Sequence, residues 1–171
     1  SRYLNARGKT FKDFMEGNLD ILKATKPSIY DLKNHLSTVF TEVRLKQYIE
    51  IRSLDTCEWD CLCAGPAFYI GLLYGNLDEA LNVINKWNAT EVLNAYAESP
   101  KKGLNTTLNN KTLLEWGKIF LNLAKKGLEN RAIKNDNGKD ESIFLRSIEN
   151  ILINNKNKAN ITIEKFKKEK S

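Results

Sequence analysis

The sequence lacks the features that would place it in a membrane or on a secretory route. No apolar stretch reaches the roughly 18 residues that span a bilayer, and the first ten residues, SRYLNARGKT, contain no apolar signal-peptide core. We therefore expect a cytoplasmic protein with no membrane partner. At 171 residues, 42% of them hydrophobic and 28% charged, the chain is long enough for one ordinary buried core.

Cysteine and histidine are scarce, and the number and spacing of the cysteines argue against a secreted disulfide scaffold and against a zinc site. Cys57, Cys61 and Cys63 fall close together, and an odd count is not that of a secreted disulfide scaffold. The single histidine, His35, could join them around zinc. Cys-x3-Cys-x-Cys is not a standard zinc-ligand spacing, however, so zinc is only a minor alternative.

The net charge of +6 is concentrated at the carboxy-terminal end. Residues 156–171 contain six lysines and two glutamates, whereas the remainder is nearly neutral. Phe166 is the only aromatic residue among these lysines. This composition is typical of a solvated chain end and argues against a nucleic-acid partner. We therefore expect residues 155–171 to form a basic tail.

Helix-start signals recur along the chain. Thr10 with Asp13, and Ser28 with Asp31, have the spacing of N-terminal caps and predict two short helices, the first stopped by Gly17. The other predicted helices begin at Pro66 (to Gly75), Asn76, Thr90 (to Pro100), Thr112 and Asp140. Residues 57–154 are therefore expected to form a helical layer.

One segment, around QYIEIRSLD, favours a β-strand. We predict a strand from Lys46 to Leu54, with Val43 as a possible earlier start. Period-two alternation places Glu50 and Arg52 on one face, about 7 Å apart. A single strand leaves its backbone N–H and C=O groups unpaired. Partner strands are expected in residues 1–10 or 101–108, in sequence beyond this chain, or in another copy.

Two interpretations of Glu50 and Arg52 remain open at this point. In the first, they form cross-strand ion pairs on the surface of a sheet. In the second, the face binds a polyanion, with the carboxylate on Mg²⁺ and the guanidinium on a phosphate, because each ligand prefers that residue type. Spacing does not choose between them.

The same segment carries a resemblance to a known family. HLSTVFTEVRLKQYIEIRSLD, followed by CEWDCLCAGPAFYIGLLYG, resembles the carboxy-terminal part of plant and alphaproteobacterial glutamate–cysteine ligases. GLENRA and GKDESIFLRSIENIL resemble later helices of that family, and YIEIRSLD is also similar to a strand of the enterobacterial ligase.

This resemblance implies an α+β fold, the mostly helical carboxy-terminal part of a glutamine-synthetase-like ligase, with at least one strand in an antiparallel sheet. Short helices and the active-site strand would occupy residues 1–56, followed by the helical layer and the tail. The family joins the γ-carboxylate of glutamate to the amine of cysteine through a γ-glutamyl phosphate, using ATP and Mg²⁺. Glutamate, cysteine and ATP are the implied partners of the complete enzyme.

The resemblance also implies roles for individual residues. Glu50 would be a Mg²⁺ ligand and Arg52 a catalytic phosphate contact, because charge builds on the transferring phosphoryl group. Arg44 and Lys46 would be further ATP or phosphate contacts. A solvated strand end is the other interpretation of both.

Three more residues match family positions. Trp59 and His35 would be substrate-binding residues. The alternative for Trp59 is simple packing of an aromatic side chain, and the alternative for His35 is local hydrogen bonding after a short helix. Cys63 would be a possible redox cysteine, since its counterpart in relatives can pair with a cysteine far upstream.

The chain also departs from the family pattern. Relatives carry Gly-Gly-Pro-Trp-Arg-Arg where this chain has TCEWDC, so Asp60 and Cys61 replace two arginines. Relatives also have a long preceding region that holds most of the sheet, so this chain alone is expected to be inactive. The alternatives are a non-catalytic helical module that binds a partner polypeptide, or a degenerate fragment, and a carboxylate–amine ligase with another substrate.

Overall fold

The computed structural model describes residues 4–22, 25–55 and 57–170. The chain divides into two units, one ending at Leu54 and the other beginning at Asp55. The second unit includes the residues predicted to form a basic tail. Within the described ranges, no helix is both long enough and apolar enough to cross a membrane.

The first unit contains two short helices and a β-hairpin. Its elements are α1 (Phe11–Met15), a 3₁₀ turn (Asp20–Leu22), α2 (Ile29–Ser37), β1 (Val43–Leu45) and β2 (Ile49–Ile51). Thr10 and Asp13 form a reciprocal capping box at α1, and Ser28 and Asp31 form another at α2. Both predicted helix starts are confirmed, because each cap depends only on residues three apart.

The strand predicted from Lys46 to Leu54 is confirmed only for Ile49–Ile51, and its extension back to Val43 is interrupted by a turn at residues 46–48. Val43 pairs with Ile51, Arg44 with Glu50, and Leu45 with Ile49 in an antiparallel hairpin. The intervening backbone turns, and the Lys46 N–H donates to the Tyr48 carbonyl at 2.9 Å. The turn residues Lys-Gln-Tyr include neither glycine nor proline, the usual signals of a tight turn, so the residue types do not mark the reversal.

Strand β2 therefore pairs with β1, which immediately precedes it in the chain. Residues 4–10 form no strand. A second small hairpin, β3 (Thr107–Leu108) with β4 (Lys111–Thr112), partly meets the expectation for residues 101–108. It forms its own two-stranded sheet in the second unit and does not pair with β2.

The second unit is a helical assembly centred on one long helix. Its helices are α3 (Ala64–Ile70), α4 (Leu77–Ile84), α5 (Ala89–Lys102), α6 (Leu113–Arg131), α7 (Arg146–Asn154) and α8 (Lys158–Glu169). The core lies along α6, where Leu121, Ala124 and Leu128 pack with Leu145 and Leu152. The fold is therefore mostly helical α+β, as predicted.

Helix α3 continues into a π-helical turn (Gly71–Gly75) that lies directly against α6. A Cβ added to Gly71 would lie 2.3 Å from the Ala124 carbonyl oxygen, and one added to Gly75 would lie 2.1 Å from that of Gly127. Backbone contacts backbone at this crossing. Glycine is required because no side chain fits between the two helices.

Several predicted helix boundaries need correction. Asn88, not Thr90, caps α5, because its side chain accepts hydrogen bonds from two backbone N–H groups of the first turn. Pro100 lies inside α5 and does not end it. Helix α3 begins two residues before Pro66. The start at Thr112 is confirmed by a complete capping box.

The remaining two starts are confirmed in position but differ in detail. Asn76 precedes α4, yet its side chain makes no capping bond there and instead donates to Glu79 and to the Leu123 carbonyl. Asp140 caps a 3₁₀ segment (Glu141–Leu145) that leads into α7.

The basic residues at the carboxy-terminal end form helix α8. None of the described residues of α8 is buried. Lys156 pairs with Glu164 at 2.7 Å, and Lys158 pairs with Glu58 at 3.5 Å. These are exposed ion pairs, which contribute little to stability.

Candidate functional site

The hairpin brings two arginines onto one carboxylate. Glu50 lies on β2 directly opposite Arg44 on β1. Arg44 Nε donates to Glu50 Oε2 at 2.7 Å, and Arg44 Nη1 donates to the carbonyl oxygen of Ser37 at 2.9 Å. Arg44 therefore connects the end of α2 to β2.

Arg52 holds the other oxygen of Glu50 more loosely. Its Nη1 lies 3.4 Å from Glu50 Oε1, and its guanidinium carbon lies 5.0 Å from the centre of the Phe40 ring. Its backbone N–H donates to the Glu42 carbonyl at 2.8 Å, which extends the hairpin pairing by one residue. We call Arg44, Glu50 and Arg52 the arginine–glutamate cluster.

The electrostatics of the cluster keep Glu50 ionised. The hydrogen bond from Arg44 is the main cause that lowers the pKa of Glu50, and the positive charges of Arg44, Lys46 and Arg52 lower it further. The side chains of Glu50 and Arg52 are 28% and 27% exposed, whereas that of Arg44 is 14% exposed. With one negative and two positive side chains, the cluster has a net positive charge that a ligand from solvent can reach.

Both interpretations of Glu50 and Arg52 remain compatible with this geometry. The cross-strand ion pair of the first interpretation exists, although its partner across the hairpin is Arg44. The polyanion site of the second requires a cationic surface accessible from solvent, which the cluster provides. Geometry alone does not assign the phosphate or metal role.

An open groove adjoins the cluster within the first unit. It has a volume of about 390 Å³ and is lined by Lys33, Leu36, Ser37, Arg44, Leu45, Lys46 and Gln47. Lys46 lies in the turn of the hairpin and contributes a charge to this lining. The lining includes three cationic side chains and two leucines, and one of the cations, Arg44, is paired with Glu50.

The other predicted site residues have separate surroundings. His35, in the last turn of α2, stacks on Phe11 with ring centres 4.6 Å apart. Trp59, in the second unit, is 89% exposed and lies in a 3₁₀ turn. Packing therefore does not explain Trp59, which has almost no neighbours covering it.

Two of the three cysteines are paired, and the redox role expected for Cys63 stays a prediction. Cys57 and Cys61 form a disulfide with Cα atoms 6.1 Å apart, while Cys63 is free and exposed. Sequence reasoning did not pair Cys57 with Cys61. It also missed the Ser37 carbonyl and the Phe40 ring, for which residue types give no signal before the hairpin register is known.

The cluster supplies part of a ligand set for Mg²⁺. The described residues contain no group of three or more His, Cys, Asp or Glu that could hold a metal ion. Mg²⁺ often binds through one or two carboxylates together with substrate phosphates and water. Glu50 fits one such ligand, because its carboxylate is ionised and its Oε1 has only a long contact to Arg52. The cluster cannot supply a complete set of Mg²⁺ ligands.

Comparison with known proteins assigns the chain to a family. The model of glutamate-cysteine ligase family 2 matches residues 3–164. The chain belongs to this family. The hairpin and its cluster lie inside the matched region, as do α3 to α7.

Named members of the glutamate-cysteine ligase family are similar over most of the chain. The chloroplastic glutamate–cysteine ligase of Solanum lycopersicum is 40% identical over 135 residues, 78% of this chain. That of Arabidopsis thaliana is 37% identical over 154 residues, 89% of this chain. Glutamate–cysteine ligase A of Oryza sativa subsp. indica is 35% identical over 153 residues, 88% of this chain.

The match covers only part of these relatives. The aligned regions represent 26%, 28% and 30% of the tomato, Arabidopsis and rice proteins. The chain thus spans less than a third of the length of the ligases that it resembles.

Proposed function

We propose that this chain is the carboxy-terminal part of an ATP-dependent ligase that joins the γ-carboxylate of glutamate to the amine of cysteine. The reaction proceeds through a γ-glutamyl phosphate and is the first step of glutathione synthesis. The observation that carries the proposal is the arginine–glutamate cluster, which lies inside the region matched by the family and combines an ionised carboxylate with accessible guanidinium charge.

Arg52 is the proposed phosphate contact and catalytic residue. Its single contact to Glu50, at 3.4 Å, is long for a hydrogen bond, and its contact with the Phe40 ring contributes only about 0.5–1 kcal/mol at an exposed site, so the guanidinium can turn towards an anion at small cost. Negative charge builds on the phosphoryl group during transfer, and a planar guanidinium can stabilise two of its oxygens together. Lys46, which lines the groove, would add positive charge for ATP.

Glu50 is the proposed Mg²⁺ ligand. Mg²⁺ would supply charge neutralisation for the phosphates, and Glu50 would hold one position of it as a hard oxygen donor. The low pKa of Glu50 means that the carboxylate needs no deprotonation before it binds a cation. The other ligands would come from phosphates, water or residues beyond the chain.

The hairpin is the proposed junction with the rest of the ligase. Val43, Leu45 and Ile49 are 54%, 82% and 67% exposed, so one face of the hairpin presents apolar side chains to solvent. A two-stranded hairpin is marginally stable alone, and its open edges can accept further strands. An amino-terminal region of the same ligase is the partner that we propose, and a second copy of this chain is the alternative.

The proposal is tested by turnover of the full-length ligase that contains this chain. ADP release dependent on glutamate and cysteine is measured for the wild type and for Glu50→Gln, which keeps size and removes the charge. Turnover should fall sharply with little change in melting temperature. Glu16→Gln is the matched control, because Glu16, just after α1, forms an exposed ion pair with Lys12.

Wild-type turnover and an unchanged Mg²⁺ requirement in Glu50→Gln would overturn the site assignment. Product analysis with other amines in place of cysteine tests for a different acceptor. The 171-residue chain alone should release no ADP above background, because one carboxylate and two arginines do not complete an ATP site. A cytoplasmic location stays a prediction, and the three relatives above are named as chloroplastic.

A further inference from the structure

The two arginines on Glu50 have different surroundings. Arg44 donates from two of its nitrogens, to Glu50 Oε2 at 2.7 Å and to the Ser37 carbonyl at 2.9 Å, and its side chain is 14% exposed. Arg52 makes one contact to Glu50, at 3.4 Å, and is nearly twice as exposed. Arg44 is therefore fixed by the protein, whereas Arg52 remains available.

The planar shape of the guanidinium makes the contacts of Arg44 directional. Its N–H groups point in fixed directions, so two acceptors met at once define its orientation. One acceptor is the backbone at the last residue of α2, and the other is a side chain on β2. Helix and hairpin thereby fix Glu50 through a single side chain.

We infer that Arg44 is a positioning residue, which orients the Glu50 carboxylate for the reaction, and that it is not itself a phosphate contact. This inference rests on the proposed function. It changes the expected role of Arg44 and leaves Arg52 as the cluster's arginine for phosphate. Because Arg44 occupies Oε2, Oε1 is the oxygen of Glu50 that is presented to a ligand.

A lysine cannot replace Arg44 in this role. An ammonium on a flexible stem can approach Glu50, but it does not reach two acceptors in the geometry of a guanidinium. Misplacement of a positioned group by about 1 Å can cost roughly 10²-fold in rate. Arg44→Lys should therefore impair turnover although the charge is retained.

The test is a double-mutant cycle in the full-length ligase. Turnover is measured for Arg44→Lys, Arg44→Gln, Glu50→Gln and the two double variants. We expect each Arg44 substitution to lower kcat by roughly 10- to 100-fold. We expect neither to lower it further once Glu50 is glutamine, because a residue that acts through Glu50 has no effect without it.

Nucleotide binding provides a second readout. The dissociation constant of adenosine 5′-(β,γ-imido)triphosphate is measured without Mg²⁺, for the wild type and for Arg44→Lys, so that the metal-binding role of Glu50 does not contribute. A positioning role predicts a change of less than about twofold, because Arg44 then makes no contact to the phosphates. Arg7→Lys, an exposed arginine of the same unit, is the matched control.

Each alternative result has a separate meaning. Losses that multiply in the double variants, together with weaker nucleotide binding by Arg44→Lys, would overturn the inference and make Arg44 a direct phosphate contact. Wild-type turnover in Arg44→Lys would also overturn it. Unchanged turnover in Glu50→Gln would instead overturn the site assignment in the proposed function, on which the inference rests. Melting temperatures identify loss of folding, and Arg44→Lys remains informative if Arg44→Gln does not fold.

Discussion

The two units of the chain are stabilised in different ways. In the described part of the first unit, Leu19 is the only buried residue, and the cluster is held by hydrogen bonds and ion pairs. In the second unit, Leu128 and Leu145 are completely buried around α6. The proposed chemistry thus lies in the unit with almost no core. Substitutions in the two units should therefore separate activity from stability.

The largest effect should come from the core of the second unit. Leu128→Ala removes a side chain with no exposed surface and should lower the free energy of unfolding by about 2–5 kcal/mol. Denaturant unfolding of the 171-residue chain measures it. Leu93→Ala, at a position 69% exposed, is the control and should change little. Equal losses for both variants would mean that the core described around α6 is wrong.

In the first unit, Arg52→Lys should affect activity and leave stability almost unchanged. It keeps the charge but loses the planar fork, and comparable electrostatic donors contribute roughly 10²–10³ in turnover. Steady-state kinetics and melting temperature of the full-length ligase measure the two effects. A lower melting temperature with normal turnover would indicate that the cluster is only a structural ion pair.

The disulfide should have an intermediate effect on the second unit. Closing the short loop from Cys57 to Cys61 should contribute about 2 kcal/mol by loop-closure entropy, so Cys57→Ser should destabilise the chain by that order. Cys63→Ser is the control. Labelling with N-ethylmaleimide should modify one cysteine before reduction and three after it. Three labels without reduction would contradict the pairing.

A smaller effect should distinguish the observed cap of α5 from the predicted one. The Asn88 side chain accepts hydrogen bonds from the backbone N–H groups of Thr90 and Glu91 at 2.8 and 3.3 Å. Asn88→Ala should cost about 1 kcal/mol. Thr90→Ala should stay within about 0.5 kcal/mol of the wild type. The reverse order would restore Thr90 as the cap.

The smallest expected effect is the pH dependence of the helix caps in the first unit. Hydrogen bonds from Ser28 lower the pKa of Asp31, so the stability that they provide is present above the ordinary pKa and is lost as pH falls through the lowered one. Ser28→Ala should raise the pKa of Asp31 and leave that of Asp13, whose partner is Thr10, unchanged. Carboxyl NMR titration of both variants, Ser28→Ala and Thr10→Ala, measures this.

Contacts between residues close in sequence could be predicted from the sequence, whereas contacts that depend on the register of the hairpin could not. The capping boxes at Thr10, Ser28 and Thr112 are correct because each involves residues three apart. The contact between Glu50 and Arg52 also follows from short spacing. The pairing of Arg44 with Glu50 needed the turn at residues 46–48, which no glycine or proline marks.

The same limit applies to contacts of the backbone and to distant packing. The Ser37 carbonyl that receives Arg44 could be identified only from the structure, because every residue carries such a group. The glycine contacts between the π-helical turn and α6 join residues about fifty positions apart. Neither leaves a pattern in residue type or period.

The short sequence span of the cluster has a consequence for folding kinetics. Ser37, Arg44, Glu50 and Arg52 lie within residues 37–52, so their contacts close only small loops. Hairpins of this size form in about 1–10 μs, and rates generally fall as the sequence separation of contacts grows. On the ribosome, these contacts can therefore form soon after the residues emerge and before the helices that follow have been synthesised, although a hairpin that is marginally stable alone holds them only part of the time.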